Sequence, residues 1–448
     1  MPSSKEITRQ AIVIIHGIGE QRPMATLRSF ATAIPKIERY PSEAPAWSKP
    51  DDISEGFEHR CFTIPQTRTR PITDVYELYW AHLFEQTKLT TLAGWLLRLL
   101  VRPRSSLPKR YRRPVLLVRI ASLLVLGVAL LIGRLLVQQP WVAYLLALPL
   151  VPLVYAGLVG LLKAFALDTI SDAARYLDAS PRNVEARNKV RQLGLSFLDR
   201  LHKSEKGYSR IILCGHSLGS VIGYDILQRY WFTRSDEFKP MASPIQDVLD
   251  RMGKLAKDGQ GAEFRKLQRA LWVEQRACGN GWRITDFVTL GSPLAHADLL
   301  MADTENEFRA FLESGELSAC PPRVDPVSGK LGRPVNYQLA DGQKRTMFTL
   351  RDNAVFASTR WTNIYFTTRY GLLGDPIAGP LAGLFGPAVV DYRIAPAPGR
   401  WLAHCDYWLG ERPKWKPSNP ALEALSRALE LDLKEIVGEP TGAKPVIS

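Results

Sequence analysis

Cysteine is scarce and ungrouped in this chain. Cys61, Cys214, Cys278, Cys320 and Cys405 are the only five among 448 residues. No two stand at metal-ligand spacing, and an odd, scattered set does not make a disulfide framework. The first ten residues, MPSSKEITRQ, carry no apolar signal core, and strand-like sequence begins at Ala11. Together these absences imply a reduced, cytosol-facing domain, and no metal or organic cofactor is expected. Cys214 reads as a small buried core residue. No internal repeat is visible. Acidic residues are missing from one stretch: between Arg98 and Arg119 stand Arg98, Arg102, Arg104, Lys109, Arg110, Arg112, Arg113 and Arg119, with no Asp or Glu.

That stretch supplies more than half of the formal charge of +14. So local a concentration does not describe a nucleic-acid-binding surface, and nucleic acid is set aside as a partner. The basic stretch abuts the most apolar part of the sequence, an arrangement suited to anionic lipid headgroups. Residues 115–137 and 141–162 form two apolar runs joined by Gln138, Gln139 and Pro140. A transmembrane helix needs about 20 apolar residues, so the runs predict a membrane hairpin. Arg119 and Arg134 sit near the ends of its first arm, and Pro149 and Pro152 kink the second. The basic residues place both ends on the cytoplasmic side. A hairpin that dips into the bilayer and returns is the other reading. Upstream, residues 80–100 read as an amphipathic helix at the membrane surface or packed on a sheet.

Gly-His-Ser-Leu-Gly at 215–219 carries the most chemistry. It follows the apolar run 210–214 and precedes a helix-like run at 220–229. Strand, sharp turn flanked by glycines, then helix is the context of a nucleophile elbow. Ser217 is therefore the predicted nucleophile. A serine hydroxyl needs a base within reach, and on this kind of sheet the chain order is Ser, acid, His. Of seven histidines, only His296 and His404 follow Ser217. His404 comes just after the strand-like run 389–394 and is taken as the base. Asp375, in a loop after the run 361–367, is the preferred acid. Asp298 is the alternative acid, and Asp391 is expected to pair locally. The oxyanion hole is expected from the N–H groups of Leu218 and Ile18. His16, Gly17, His216 and His296 are expected to line the site, with His16 fixing its loop rather than moving protons.

Strand-like runs alternate with helical ones, which predicts an α/β fold: a mostly parallel central sheet with helices on both faces. The expected organisation is a first part of the catalytic domain at 1–97, the basic segment and hairpin at 98–167, the remainder of the domain at 168–412, and a C-terminal helix and tail at 413–448. A helical cap is expected at 231–281, and long loops at 303–350. The motifs at 14–21 (IIHGIGEQ), 215–219, 288–294 (VTLGSPL), 374–376 (GDP) and 404–408 (HCDYW) span nearly the whole chain. In this order they resemble the α/β-hydrolase family, in particular its lipase-like branch. The resemblance implies an α/β-hydrolase fold and a serine ester hydrolase that cleaves a lipid or other acyl ester through an acyl-enzyme. An acyltransferase using the same triad, or a non-catalytic membrane adaptor on the same scaffold, are the alternatives. The membrane insertion between first strand and elbow departs from the family pattern and leaves the roof of the site open.

Overall fold

The computed structural model describes residues 4–17, 23–37, 45–54, 59–83, 101–138, 176–177, 181–239, 241, 245–338, 344–368, 374–398, 400, 403–408 and 419–437. Ile18, the second arm of the expected hairpin at 141–162, the amphipathic run beyond residue 83 and the tail after 437 lie outside them.

The chain is α/β. Its strands are β1 (Ser4–Glu6), β2 (Arg9–Ile15), β3 (Trp47–Pro50), β4 (Arg60–Ile64), β5 (Ile72–Leu78), β6 (Arg210–His216), β7 (Ile284–Leu290), β8 (Gly332–Gln338), β9 (Lys344–Leu350), β10 (Arg360–Phe366), β11 (Val390–Ile394) and β12 (Glu435–Val437). Eight of them form one sheet in the order β11-β10-β7-β6-β2-β5-β4-β3. The pairings from β11 through β5 are parallel, and β4 and β3 add an antiparallel edge. The central strands are nearly continuous apolar runs because a parallel sheet is covered on both faces. Residues 11–15 of β2 are fully buried, and their side chains alternate between two cores. Ala11, Val13 and Ile15 enter one, Ile12 and Ile14 the other.

Helices α3 (Pro181–Lys203) and α4 (Leu218–Ser235) supply the first core with Val190, Phe197, Leu201, Val221, Ile222 and Leu227. Helices α1 (Ala25–Ala33) and α8 (Pro420–Leu429) close the second with Leu27, Phe30, Leu425 and Leu429. The sheet is thus flanked by helices on both faces, as expected from the sequence.

One expectation is corrected, and the structure adds detail to two others. No membrane hairpin is found, because among the described residues no helix is long and apolar enough to cross a membrane. The first apolar run is one helix, α2 (Arg112–Gln138). Its charge-free part between Arg119 and Arg134 covers residues 120–133, about 21 Å at 1.5 Å per residue, short of a hydrocarbon core of ~30 Å. The segment 231–281 does contain two helices, α5 (Ile245–Lys257) and α6 (Gly261–Ala277). Helix α6 packs into the first core. It lies along the sheet, burying Phe264, Leu267, Leu271 and Trp272. Its Arg265 donates to Trp361 O and its Arg269 to Glu430, near the starts of the strands. Finally, the stretch 303–350 is not all loop. It holds α7 (Glu305–Ser314), capped by Thr304 Oγ1 accepting from Glu307 N–H at 3.0 Å, and the β8–β9 hairpin.

The starts of the strands are locked by a buried ionic cluster. Arg210 and Asp286, 2.6 Å apart, are almost wholly buried. Arg269 and Arg360 also reach Asp286, and Glu430 bridges the same two arginines. Burial alone would raise the Asp286 carboxyl, but Arg269, Arg360 and Arg210 outweigh it and hold the group well below the usual carboxylate range. Removing one partner of a buried ion pair leaves the other charge without compensation. Asp286→Ala is therefore expected to cost about 3–5 kcal/mol of folding free energy. Glu430→Ala, at a partly solvated site, is expected to cost about 1 kcal/mol. Urea unfolding of both variants checks the order, and equal midpoints would contradict this account.

Candidate active site

The site forms where parallel strands end. Ile15 of β2 pairs with Gly215 of β6, which faces Thr289 of β7, and Leu290 of β7 faces Ile364 of β10. The four strand ends are level, and the loops leaving them converge. Ser217 follows β6 directly and begins α4 with φ 53° and ψ −129°, a conformation L residues rarely adopt. The turn is held by Ser217 N–H donating to Leu290 O at 2.9 Å and Ser220 N–H to Ser217 O at 2.9 Å. The two flanking glycines are required by space. A Cβ on Gly215 would lie 2.6 Å from Gly219 O, and one on Gly219 would strike the backbone of Ile15 and His16. Strain of this kind costs of order 1–3 kcal/mol and persists where the surroundings over-determine it.

His404 and Asp375 reach the same point from the other side. His404 Nδ1 stands 2.9 Å from Asp375 Oδ2. Asp375 is fully buried, and its Oδ1 accepts from the N–H groups of Ile377 at 3.1 Å and Ala378 at 3.3 Å. Tyr407 Oη donates to Oδ2 at 2.6 Å. Burial pushes the Asp375 carboxyl up, but His404 and the hydrogen bonds from His404, Tyr407 and Ile377 outweigh it and leave it below its ordinary value. The acid is therefore ionised, as a group orienting an imidazole must be. Gly291, with φ 61°, passes beneath this pair. A Cβ there would lie 2.7 Å from Tyr407 Cε2, 3.1 Å from Asp375 Oδ2 and 3.2 Å from His404 Cε1.

Ser217 Oγ and His404 Nε2 are both buried, and neither has a hydrogen-bond partner among the described residues. The reactive atoms of the candidate nucleophile and the candidate base are thus both unspent. Catalytic hydrogen bonds commonly tighten only once substrate is bound. Leu218 opens α4, and the first N–H groups of a helix have no acceptor within it. Gly17 packs on the serine: a Cβ there would lie 2.8 Å from Ser217 Cβ.

The other residues singled out in the sequence take distinct places. His16 is tied to its own loop and to Trp80: its Nδ1 lies 2.7 Å from Gly17 O, its Nε2 accepts from Trp80 N–H at 3.3 Å, and its ring stacks on Trp80. His216 Nε2 lies 2.9 Å from His404 O, and its ring meets Trp408 edge-on. Asp391 accepts from Asn363 Nδ2 and the Leu381 and Ala382 N–H groups, a local role. Asp298, the alternative acid, pairs with Arg110 rather than with a histidine. Tyr111 Oη lies 2.5 Å from His296 Nδ1.

These last two contacts belong to a strap that the sequence did not reveal. Arg110 also donates to Ala295 O at 2.7 Å, and Arg102 to Ala302 O at 3.1 Å and to Asp303 O. Arg119 in turn donates to Arg102 O. The segment 101–111 is thus tied along the wall formed by residues 295–303. Part of the basic charge expected to face lipid is spent on protein carbonyls, while Arg104, Lys109 and Arg113 remain exposed. Among the described residues no group of three or more His, Cys, Asp or Glu is placed to hold a metal ion. No protein-family model, curated protein or solved structure matches the chain.

The strain at Ser217 has a measurable consequence. Ser217→Gly is expected to be more stable than Ser217→Ala by about 1 kcal/mol, because only glycine adopts this conformation freely. Thermal unfolding of the two variants measures the difference. The buried histidines make a second prediction. Burial lowers His16 to about 4, His216 to about 3 and His296 to about 4. The folded state resists their protonation and the unfolded state does not. Stability is then complete above pH ~6.5 and falls as the pH drops toward 4, by about 1.4 kcal/mol per pH unit per histidine. Urea unfolding at pH 7.5 and pH 5.0 tests this, and an unchanged free energy would refute it.

Proposed function

We propose that the chain is a serine ester hydrolase of the α/β-hydrolase type, acting on a lipid or other acyl ester at a membrane surface. The observation that carries the reading is Ser217, held at positive φ between a buried parallel strand and a helix, with the ionised Asp375–His404 pair at the same strand ends. Ser217 Oγ attacks the ester carbonyl while His404 Nε2 takes its proton. The developing oxyanion is met by the N–H groups of Leu218 and Ile18. His404 then returns the proton to the leaving alcohol, and an acyl-enzyme remains. Water, deprotonated by His404, releases the acid and restores Ser217. Asp375 stays ionised and stabilises the imidazolium.

The membrane part of the reading rests on α2. Leu116, Leu117, Ile120, Leu123, Leu124, Leu130 and Leu131 are exposed along it. Exposed apolar surface on this scale marks an interaction site, and Arg104, Lys109 and Arg113 at its root complement anionic headgroups. The catalytic domain then lies on the basic, cytoplasmic side.

Wild-type protein is expected to react covalently with a fluorophosphonate probe and to hydrolyse p-nitrophenyl esters. Ser217→Ala is expected to lose both while keeping its fold, with activity down by at least about 10³-fold. Hydrolysis undiminished in Ser217→Ala would overturn the mechanism. An inert wild-type protein would favour an adaptor without catalysis, and acyl transfer to added alcohols would make the enzyme an acyltransferase.

A further inference from the structure

Tyr407 stands apart from the groups used above. It is fully buried, three residues after His404, and its hydroxyl donates at 2.6 Å to Asp375 Oδ2, the same oxygen that His404 Nδ1 approaches at 2.9 Å. The phenol oxygen in turn accepts from Phe366 N–H at 3.2 Å, at the end of β10. Its ring packs on Phe366 with centroids 4.8 Å apart. Gly291 leaves just the room it occupies, since a Cβ there would lie 2.7 Å from the Tyr407 ring. The other carboxylate oxygen is already filled by two backbone N–H groups. A chain of donors thus runs from Phe366 through Tyr407 to the oxygen that orients the imidazole.

We infer that Tyr407 is a positioning residue of this site: its hydroxyl shares one carboxylate oxygen with His404 and so sets how strongly Asp375 holds the imidazolium. A donor to a carboxylate disperses its charge. With Tyr407 in place, Asp375 is a weaker partner for a charged imidazole, and the Tyr407 hydroxyl thereby sets the strength of the Asp375–His404 contact. The same bond, with those from Ile377 and Ala378, fixes the orientation of the carboxylate. This inference rests on the serine hydrolase reading.

The test is the pH dependence of kcat/KM on a soluble p-nitrophenyl ester. Tyr407→Phe keeps the ring and removes the donor. Its acidic limb is expected to move up by about 0.5–1 pH unit relative to wild type. A loss that is uniform across pH, with the limb unmoved, would overturn the inference. Should Tyr407→Phe fail to fold by thermal unfolding, 3-fluorotyrosine introduced at position 407 supplies a stronger donor of nearly the same shape. Its acidic limb is expected to move down, and an unmoved limb overturns the inference equally. Fluorophosphonate labelling of the wild type separates the two levels. An unlabelled wild type removes the hydrolase reading and this role with it. A labelled wild type with unmoved limbs removes only the role of Tyr407.

Discussion

At the end of β6 the chain turns against the end of β2 with no space for side chains at Gly215 or Gly219, and with little at Gly17. Close backbone approach of this kind leaves Ser217 a single path, and that path holds it at positive φ. The other parts of the site are placed by the same crowding. Leu290 O accepts the Ser217 N–H, so β7 must end level with β6. Gly291 must then turn at positive φ beneath Asp375, His404 and Tyr407. The Asp375–His404 pair packs against that turn, where Gly291 has no room for a side chain.

Strain at one end of a sheet requires firmness at the other. The strand starts are held by Arg210, Asp286, Arg269, Arg360 and Glu430, which tie β6, β7, β10, α6 and the end of α8 into one cluster. Buried charges of this sort are costly to bring out of water, and their geometry is correspondingly specific. The two ends of the strands thus differ in character. One is crowded, with uncharged buried histidines and reactive atoms that have no partner among the described residues. The other is saturated with complementary charge.

The sheet centre was legible because β2, β6 and β7 are buried on both faces and read as apolar runs. The candidate triad was legible because its members follow strands in a fixed order, each in its own short motif. The β8–β9 hairpin was not, since GRPVNYQ and KRTMFTL mix polar and apolar residues and only some, such as Phe348 and Leu350, are buried. β3 is an exposed edge strand ending in Pro50, with no apolar pattern to announce it. The sequence left Asp298 open as an acid because its partner Arg110 lies 188 residues away. Tyr407 stood within a quoted motif, yet nothing in its spacing says that its hydroxyl reaches Asp375 rather than solvent. The arginine-rich stretch was read as a face for lipid, and composition alone does not show that Arg102, Arg110 and Arg119 also meet backbone carbonyls.

The strap at 101–111 changes what the inserted segment is. An insertion between two strands of a sheet is ordinarily an appendage that can be trimmed. Here its entrance is a structural member of the wall beside Ser217, fastened through Arg102, Arg110 and Tyr111 to residues 295–303. The boundary of the folded body therefore falls not where the sheet is interrupted after β5 but at the root of α2. A shortened chain that kept its shape around the serine would have to retain the strap and be cut beyond Tyr111. One trimmed at the strand ends would leave Asp298 as a buried carboxylate stripped of its arginine.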